Sequence, residues 1–598
     1  MNYNICKDFG TCNSVASYIE DDVLKQITDD MTGDVLIPST LYFISSNIKI
    51  NTRITELEPE IDYLIGSVAT TQANTNRDLE YYFFQFKRFL GITSKSVDGY
   101  KDFLTRYNLD YTTDEDTIYF YLKSEETDEI KIKFSICDLI KLYLMGLKKM
   151  LLSRLPNLKG LEKIPLIITC PAYFHDLQRT QLKRAAEQAG FEVFKLINEP
   201  TAAAVFYISR FQNPPPTNLT KYIIYDLGGG TIDTTVVDYY PDSNTCEVID
   251  IEGNNGLGGI DIDNILTYDM IKTYSIDKSN SKWLIRIKKF AEEIKIKLTS
   301  QLTHSVYLES VPVFRSGKLV IVDNLKITYS RQQFNNLIKD IIDEMISSIK
   351  NMYQKHNTSN IIFIGGPTQI PLLQSKVCSI LNIDPANINT IGFVNNTNDN
   401  DDDDDDKNSQ VEQPDNKTYD FRAQDLSILY KTIVSQGGSI LYRKISRKED
   451  FCLLDIIPMN IGITDPDNNM LVMIEKNSKI PVSVKRIFST SHDCQRSIDI
   501  EVYEGLDNFC STNTTNTFIG SYKIVGIPPL PKGMVLIELL FKISYNGILE
   551  IEILGTKNPS DNSAKSFDYK FNSNIKLIPN MVAKEILKKL LLLSEKNK

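Results

Sequence analysis

The sequence predicts a multidomain chain: two similar α/β lobes, then an all-β sandwich, then one terminal helix. Three observations carry that expectation. A strand–turn–strand unit built on Asp, Gly and Thr occurs twice, at Asp8–Ser14 (DFGTCNS) and at Asp226–Asp233 (DLGGGTID). Around both units apolar strands alternate with amphipathic helices, the pattern of α/β architecture. Beyond Arg447 the alternation stops, and strands of about seven residues recur between Asn, Asp and Gly turns, as in a sandwich. At 598 residues the chain is too long for one core, and about three or four domains are expected.

In the first unit, Asn4-Ile5-Cys6 leads into the Asp8 turn and Val15–Ile19 leaves it; Lys7 stands where a buried strand is normally apolar. Val35–Phe43 reads as a short strand bent at Pro38. Asp78–Gly91 reads as a helix carrying Lys87-Arg88, and Ser135–Leu152 as a helix with Leu, Ile and Met on one face. Leu161–Cys170 is a buried strand, after which Pro171 opens an amphipathic helix closed by Gly190. Phe191–Ile197 is the next strand, and Asn198-Glu199-Pro200-Thr201 caps the next helix. In the second unit Tyr222–Tyr225 and Ile232–Val237 flank the glycines. Lacking Cβ atoms, Gly228–Gly230 can take positive φ and let backbone N–H groups converge on an anion. Gly253–Asp263 is a loop entering a helix, Trp283–Ser300 is helical, and strand Asn360–Ile364 ends at Gly365-Gly366 before helix Ile370–Ile380.

Asn395–Thr418, with the run Asp401–Asp406, reads as a solvated insertion inside a domain, an acidic docking segment being the alternative. A helix resumes over Leu426–Tyr442. Asp450–Asp455 (DFCLLD) is a short apolar linker flanked by acids. Sandwich strands follow at Met470–Ile474, Val484–Ser489, Ser497–Tyr503, Tyr522–Val525, Met534–Ile543 and Ile548–Ile553, with Asn546-Gly547 as a hairpin turn. Ile578–Lys598 reads as a Lys-rich helix. The chain thus divides into residues 1–447, with the insertion at about 395–418, a linker at 448–456, a sandwich at 457–577 and a helix at 578–598.

A net charge of −11 and a pI near 5.2 argue against a nucleic-acid-binding surface. Nine dispersed cysteines without a C-x-x-C pair suggest reduced thiols and no structural zinc. No leader-like apolar segment opens the chain, and tracts such as Ile586–Leu593 are too short and too lysine-rich for a membrane span. A soluble, cytoplasmic protein without membrane contact is expected. No G-x-x-x-x-G-K-[ST] motif is present, which excludes a P-loop enzyme at motif level.

The two Gly turns carry the chemistry. Asp226 and Asp233 bracket the second turn and suit a hydrated Mg²⁺, while Thr231 adds a hydroxyl; a triphosphate with its metal needs these together. One such turn alone fits an ordinary Gly-rich hairpin equally well. Two in matching contexts point to duplicated lobes with a nucleotide between them.

Several stretches together resemble the seventy-kilodalton heat-shock chaperone family: DFGTCNS, Lys87-Arg88, Pro171–Ala204 with its LINEPTAAA, DLGGGTID, Leu257–Asp263, IGGPTQIP over Ile364–Pro371, DFCLLD, and Val502–Gly505 with Gly526–Pro529. They run in order over almost the whole chain. The resemblance implies an actin-like ATPase domain of two lobes, a linker, and a peptide-binding β sandwich. It implies a catalytic set of Lys87, Glu199, Asp226 and Thr231, and Asp8, Asp226 and Asp233 holding Mg²⁺ through water, with K⁺ alongside. Gly10, Thr11, Cys12, Asn13 and Gly228, Gly229 and Gly230 would meet the phosphates. Glu292, Lys295 and Thr299 would grip the nucleoside opposite Gly365, Gly366 and Gln369.

Ile463, Phe488, Ile498 and Ile500 fall where the family's apolar peptide groove lies, although spacing alone fits core packing. Pro171, Leu453 and Leu454 resemble its interdomain relay. Unfolded polypeptide clients, a J-domain co-chaperone and a nucleotide-exchange factor are the implied partners. The chain departs from the family at Cys12, Pro367 and Gln369; the last two stand where relatives have Ser and Arg, so a guanidinium over the adenine face is lost. The family's helical lid is expected to be reduced to the terminal helix. An ATP-driven chaperone is therefore expected, with a non-cycling holdase or an exchange partner of another chaperone as the alternative. A sugar kinase on the same core would have no use for the β domain.

Overall fold

The computed structural model describes residues 3–579 apart from 45–51, 54–61, 76–80, 102–103, 105–109, 115–116, 124–129, 212–217, 278–280, 384–422, 511–514 and 558–575. The predicted duplication is visible in the strand pairing. Strand Cys6–Phe9 runs antiparallel to Asn13–Glu20 and parallel to Ile164–Cys170 on its other side. Strand Thr220–Leu227 repeats this, antiparallel to Ile232–Tyr240 and parallel to Ile361–Ile364. Each lobe therefore sets an Asp-bearing hairpin at the middle of a mixed sheet, with the turn at one sheet end. That is where an α/β sheet presents loops to a ligand.

Helices fix these sheets from outside. Ile136–Arg154 starts at a capping box, in which the Ser135 hydroxyl accepts from Asp138 N–H and the Asp138 carboxylate accepts from Ser135 N–H; together they satisfy two of its free N-terminal donors. Its face of Leu139, Leu144 and Leu147 joins the first lobe's core. The long helix Ala423–Arg447 lies against helix Glu199–Phe211, and Gly437 makes that approach possible: a Cβ there would stand 1.9 Å from the Ala202 carbonyl oxygen.

Three sequence expectations are corrected. Asp78–Gly91 is not a helix: its described part is strand Tyr82–Phe84 and a 3₁₀ turn, Phe86–Phe89. The close-set aromatics suit a strand, and Phe83 packs edge-on against Phe134 at 5.2 Å in the lobe core. The helix after Pro171 begins only at Asp176, because Pro171–Phe174 form a turn closed by Phe174 N–H donating to the Pro171 carbonyl. Ile578 belongs to a strand, Lys576–Pro579, paired with Thr517–Val525, so the sandwich extends past its predicted end. The rest of the predicted terminal helix and the Asp401–Asp406 insertion lie outside the described residues.

The β domain stacks a five-stranded sheet, in which Asn460–Thr464 and Ser497–Gly505 pair, on a three-stranded sheet of Val482–Ser489, Leu536–Ile543 and Leu549–Lys557. Strand Asn460–Thr464 was not predicted; Pro458 and the bend at 458–459 separate it from the linker strand. The linker itself is a strand. Cys452–Ile456 pairs in parallel with Thr245–Asn254 of the second lobe and antiparallel with Lys479–Ile480 of the sandwich. The second lobe's sheet thus continues without a break into the β domain. Among the described residues no helix is long and apolar enough to cross a membrane.

Candidate functional site

Between the lobes lies a cavity of about 230 Å³, and every predicted nucleotide-site residue lines it except Gly230 and Asp233. The floor is charged. Lys87 is buried and its Nζ stands 2.8 Å from Glu199 Oε1. Burial alone would push the Lys87 ammonium down, but the carboxylates of Glu199 and Asp8 outweigh it and hold the pKa above its ordinary value. Lys87 is therefore a fixed positive charge.

Asp8 comes from the first hairpin, and its Oδ1 accepts from Thr169 Oγ1 at 3.0 Å. Asp226 and Asp233 face each other across the second hairpin. Asp233 accepts from Tyr173 N–H at 2.8 Å through Oδ1, while its buried Oδ2 has no partner. Burial, with Glu199 adding to it, pushes both Asp8 and Asp233 up to about 7; the same causes raise Asp226 well above the carboxylate range. Acidic groups crowded this way favour a counter-cation. Among the described residues no three His, Cys, Asp or Glu side chains converge for direct ligation. Together with the orphaned Asp233 oxygen, the donor set fits an ion held through its water shell.

The glycine turn does not use the conformational freedom its residues offer. None of Gly228–Gly230 has a positive φ. Close approach explains Gly229 instead: a Cβ there would lie 2.5 Å from Cys12 Sγ, so the two hairpin turns meet across the cleft. Burial pushes the Cys12 thiol up to about 12, which keeps it uncharged at the cavity wall. Gly230 packs on Arg88 and Asp233 backs the site without lining it.

At the other end of the cavity, Lys295 Nζ meets Asp263 Oδ2 at 2.7 Å and the Gly259 carbonyl at 3.2 Å. The Thr299 hydroxyl donates to its own helix at Ile296 O. Gly365, Gly366 and Gln369 form the opposite wall, joined by Tyr430 and Lys431 from helix Ala423–Arg447. Sequence reading missed Thr169, Asp263, Tyr430 and Lys431. Of these only Asp263, the last residue of the Leu257–Asp263 stretch, carried any signal.

A polar chain leads away from the floor. The buried Arg179 guanidinium donates to the Phe174 and Ala172 carbonyls in the turn after Pro171, and to Asn198 Oδ1 at 2.8 Å. Asn198, next to Glu199, donates to both carboxylate oxygens of linker Asp455 at 3.0 Å. Linker Leu453 packs on the core shared by the lobes, and Leu454 lies opposite Glu247 in the sheet. The sandwich closes on the first lobe through Leu549 N–H to Asp176, Asp176 N–H to Glu504, Leu196 N–H to Asn546, and a 2.6 Å Lys95–Glu501 ion pair. In the sandwich, Ile463 and Ile500 are buried in one apolar cluster, with Phe488 and Ile498 at its margin.

Fold and site together define a class: a two-lobed phosphoryl-transfer domain wired by its linker strand to a β-sandwich module. Comparison with known proteins gives the family. A family model described as Hsp70 protein matches residues 5–390 and 433–585. The chain is 27% identical over 570 residues to a chaperone protein DnaK of Thermosipho africanus, covering 93% of this chain and 78% of the relative. It is 28% identical over 579 residues to the chaperone protein DnaK of Mycoplasma mycoides, covering 95% and 80%. A Thermotoga maritima chaperone protein DnaK gives 28% over 556 residues, covering 91% and 77%. The chain belongs to the Hsp70 protein family, and with it to the ATP-dependent chaperones, which are ATPases.

Proposed function

We propose that this chain hydrolyses ATP at the floor of the interlobe cavity and uses the cycle to bind and release extended apolar segments of unfolded polypeptides. The observation that carries the reading is the buried Lys87–Glu199 pair set among Asp8, Asp226 and Asp233, with Glu199 next in sequence to the asparagine that holds the linker. Lys87 positions the attacking water and the transferring phosphoryl group by charge, and Glu199 with Thr231 orients that water. Asp8, Asp226 and Asp233 would hold Mg²⁺ through its water shell, with K⁺ as a second cation, and the metal would supply neutralisation of the charge that builds on the phosphate oxygens. Positioned charge of this kind does most of the work in phosphoryl transfer.

Gly10, Thr11, Asn13, Gly228 and Gly229 cradle the phosphates, and Glu292, Lys295 and Thr299 hold the nucleoside. Pro171 and Arg179 pass the state of the floor to Asp455, Leu453 and Leu454. Such coupling requires ATP and peptide each to bind the docked and undocked states unequally. Ile463, Phe488, Ile498 and Ile500 then line the peptide site when the sandwich opens. A J-domain co-chaperone and a nucleotide-exchange factor complete the cycle, in the cytoplasm.

Single-turnover ATP hydrolysis with and without an unfolded apolar peptide tests this, with Lys87→Ala as control. Stimulation by peptide that vanishes in the variant is expected. Slow hydrolysis indifferent to peptide would sink the coupled cycle.

A further inference from the structure

We propose that Arg88, with Asn255, latches the two lobes together beside the cavity and sets how fast nucleotide enters and leaves, without taking part in hydrolysis. The inference rests on the ATPase reading and names the residues that time access to that site. Neither Arg88 nor Asn255 lines the cavity. Arg88 follows Lys87 in the 3₁₀ turn Phe86–Phe89, whose Phe86 and Phe89 belong to the first lobe's core. Lys87 pairs with Glu199 on the floor, whereas Arg88 crosses to the second lobe. Its Nη2 donates to the Gly256 carbonyl at 2.6 Å and lies 3.5 Å from Asp261 Oδ2. Its stem covers the second lobe's glycine turn: a Cβ at Gly230 would stand 3.0 Å from Arg88 Cδ. The side chain is only 7% exposed, so these contacts are shielded from water.

A second contact grips the same loop. Asn255 Nδ2 donates to the Tyr173 carbonyl at 2.8 Å, in the first lobe's turn after Pro171. Asn255 and Gly256 lie where strand Thr245–Asn254 passes into helix Gly259–Tyr274. That helix starts on the glycine turn, with the Gly259 and Ile260 N–H groups donating to the Gly228 and Gly229 carbonyls. Asp261 caps it, accepting from Gly258 N–H at 2.9 Å. Loop, helix start and glycine turn are thus tied into one piece, and the first lobe holds that piece at two points. A guanidinium suits the first point, because its planar fork of donors reaches a carbonyl and a carboxylate together. Parting the lobes breaks the bonds to Gly256 and Tyr173 and carries Lys87, in the same turn as Arg88, away from the second hairpin's Asp226. The closed cleft is held from outside the nucleotide site.

Calorimetric titration of the full chain with ADP and Mg²⁺ gives the affinity, and stopped-flow fluorescence with a methylanthraniloyl-labelled ADP gives the rates of binding and release. A latch resists opening whichever way the nucleotide moves. Its loss speeds both rates together and leaves affinity nearly unchanged, whereas loss of a ligand contact speeds release alone. Arg88→Met, which keeps the stem on Gly230, should raise both rates about tenfold, the scale of one charge-assisted hydrogen bond. Its dissociation constant and single-turnover hydrolysis rate should stay within about threefold of the unaltered chain. Asn255→Ala should raise both rates about threefold, as loss of one neutral hydrogen bond does, and it carries the test if Arg88→Met fails to fold. Faster release matched by an equal loss of affinity, or rates unmoved in both variants, overturns the latch alone. An unaltered chain that binds no ADP overturns the ATPase reading and the latch with it, so the two failures are told apart.

Discussion

The two ends of the cleft are built on different terms. At the phosphate end most charges are committed: Lys87 is locked to Glu199, and Asp8 and Asp233 each accept through one oxygen, from Thr169 and Tyr173. At the other end Lys295 is paired with Asp263, while among the described residues Gln369 Nε2 is buried without a hydrogen-bond partner. The chemistry explains the contrast. Phosphoryl transfer depends on charge fixed in place before the reaction begins, so its groups tolerate little drift. A base contact contributes only affinity, and several side chains supply that equally well. Pro367 and Gln369 depart at the base end and Cys12 at the turn facing Gly229, while Lys87, Glu199 and the three aspartates of the floor are kept.

Substitutions at the two ends should part company. The largest effect belongs to Lys87→Ala: turnover should fall about 10²–10³-fold, the scale for removing one preorganised electrostatic group. ADP affinity should stay within about threefold in the same titration, well below the roughly tenfold effect of a lost base contact; a parallel loss of affinity would erase the distinction between the ends. Next comes Lys295→Met, which removes a nucleoside contact and leaves Asp263 unpaired. ADP affinity should drop about tenfold while turnover at saturating ATP holds, the mark of lost uniform binding.

A smaller effect lies at the docked interface. Burial pushes Asp176 up to about 6 from an ordinary 3.8, and Glu504 up to about 8 from 4.5. Both pKa values are raised by docking, so their contribution to the docked state is full below the ordinary values and fades as pH rises through about 6 and then about 8. Fluorescence energy transfer between lobe and sandwich should show docking weakening from pH 6 to pH 8.5, and Glu504→Gln should flatten the upper part of that curve. Cys12→Thr is expected to be smallest, changing turnover by less than about threefold, because the thiol is uncharged and a hydroxyl fills nearly the same space beside Gly229.

Much of this site was legible in the chain. Two Asp–Gly–Thr turns in matching contexts gave the duplication and most of the cavity wall, and DFCLLD gave the linker. What escaped had no local signature. Thr169 is one residue of an apolar strand until Asp8 arrives beside it from sequence-distant backbone. Lys431 looks like any lysine on a helix surface until the helix is laid over the cleft. Asp78–Gly91 was misread because its aromatics serve both periods, and only the lobe core chooses between them. Gly228–Gly230 offer positive φ in the sequence, whereas the constraint at Gly229 is crowding by Cys12 from the other lobe.

The linker strand is held mainly through its backbone, Cys452 opposite Thr245, Leu453 opposite Cys246 and Leu454 opposite Glu247. A zipper of peptide groups tolerates changes of side chain far better than changes of length. Deleting a single residue would turn each side chain after it to the other face of the sheet. It would carry Asp455 away from Asn198 and slip Lys479–Ile480 out of register. The spacing between the lobes and the sandwich is therefore counted in whole residues, and the arithmetic of the linker constrains this molecule as tightly as its chemistry.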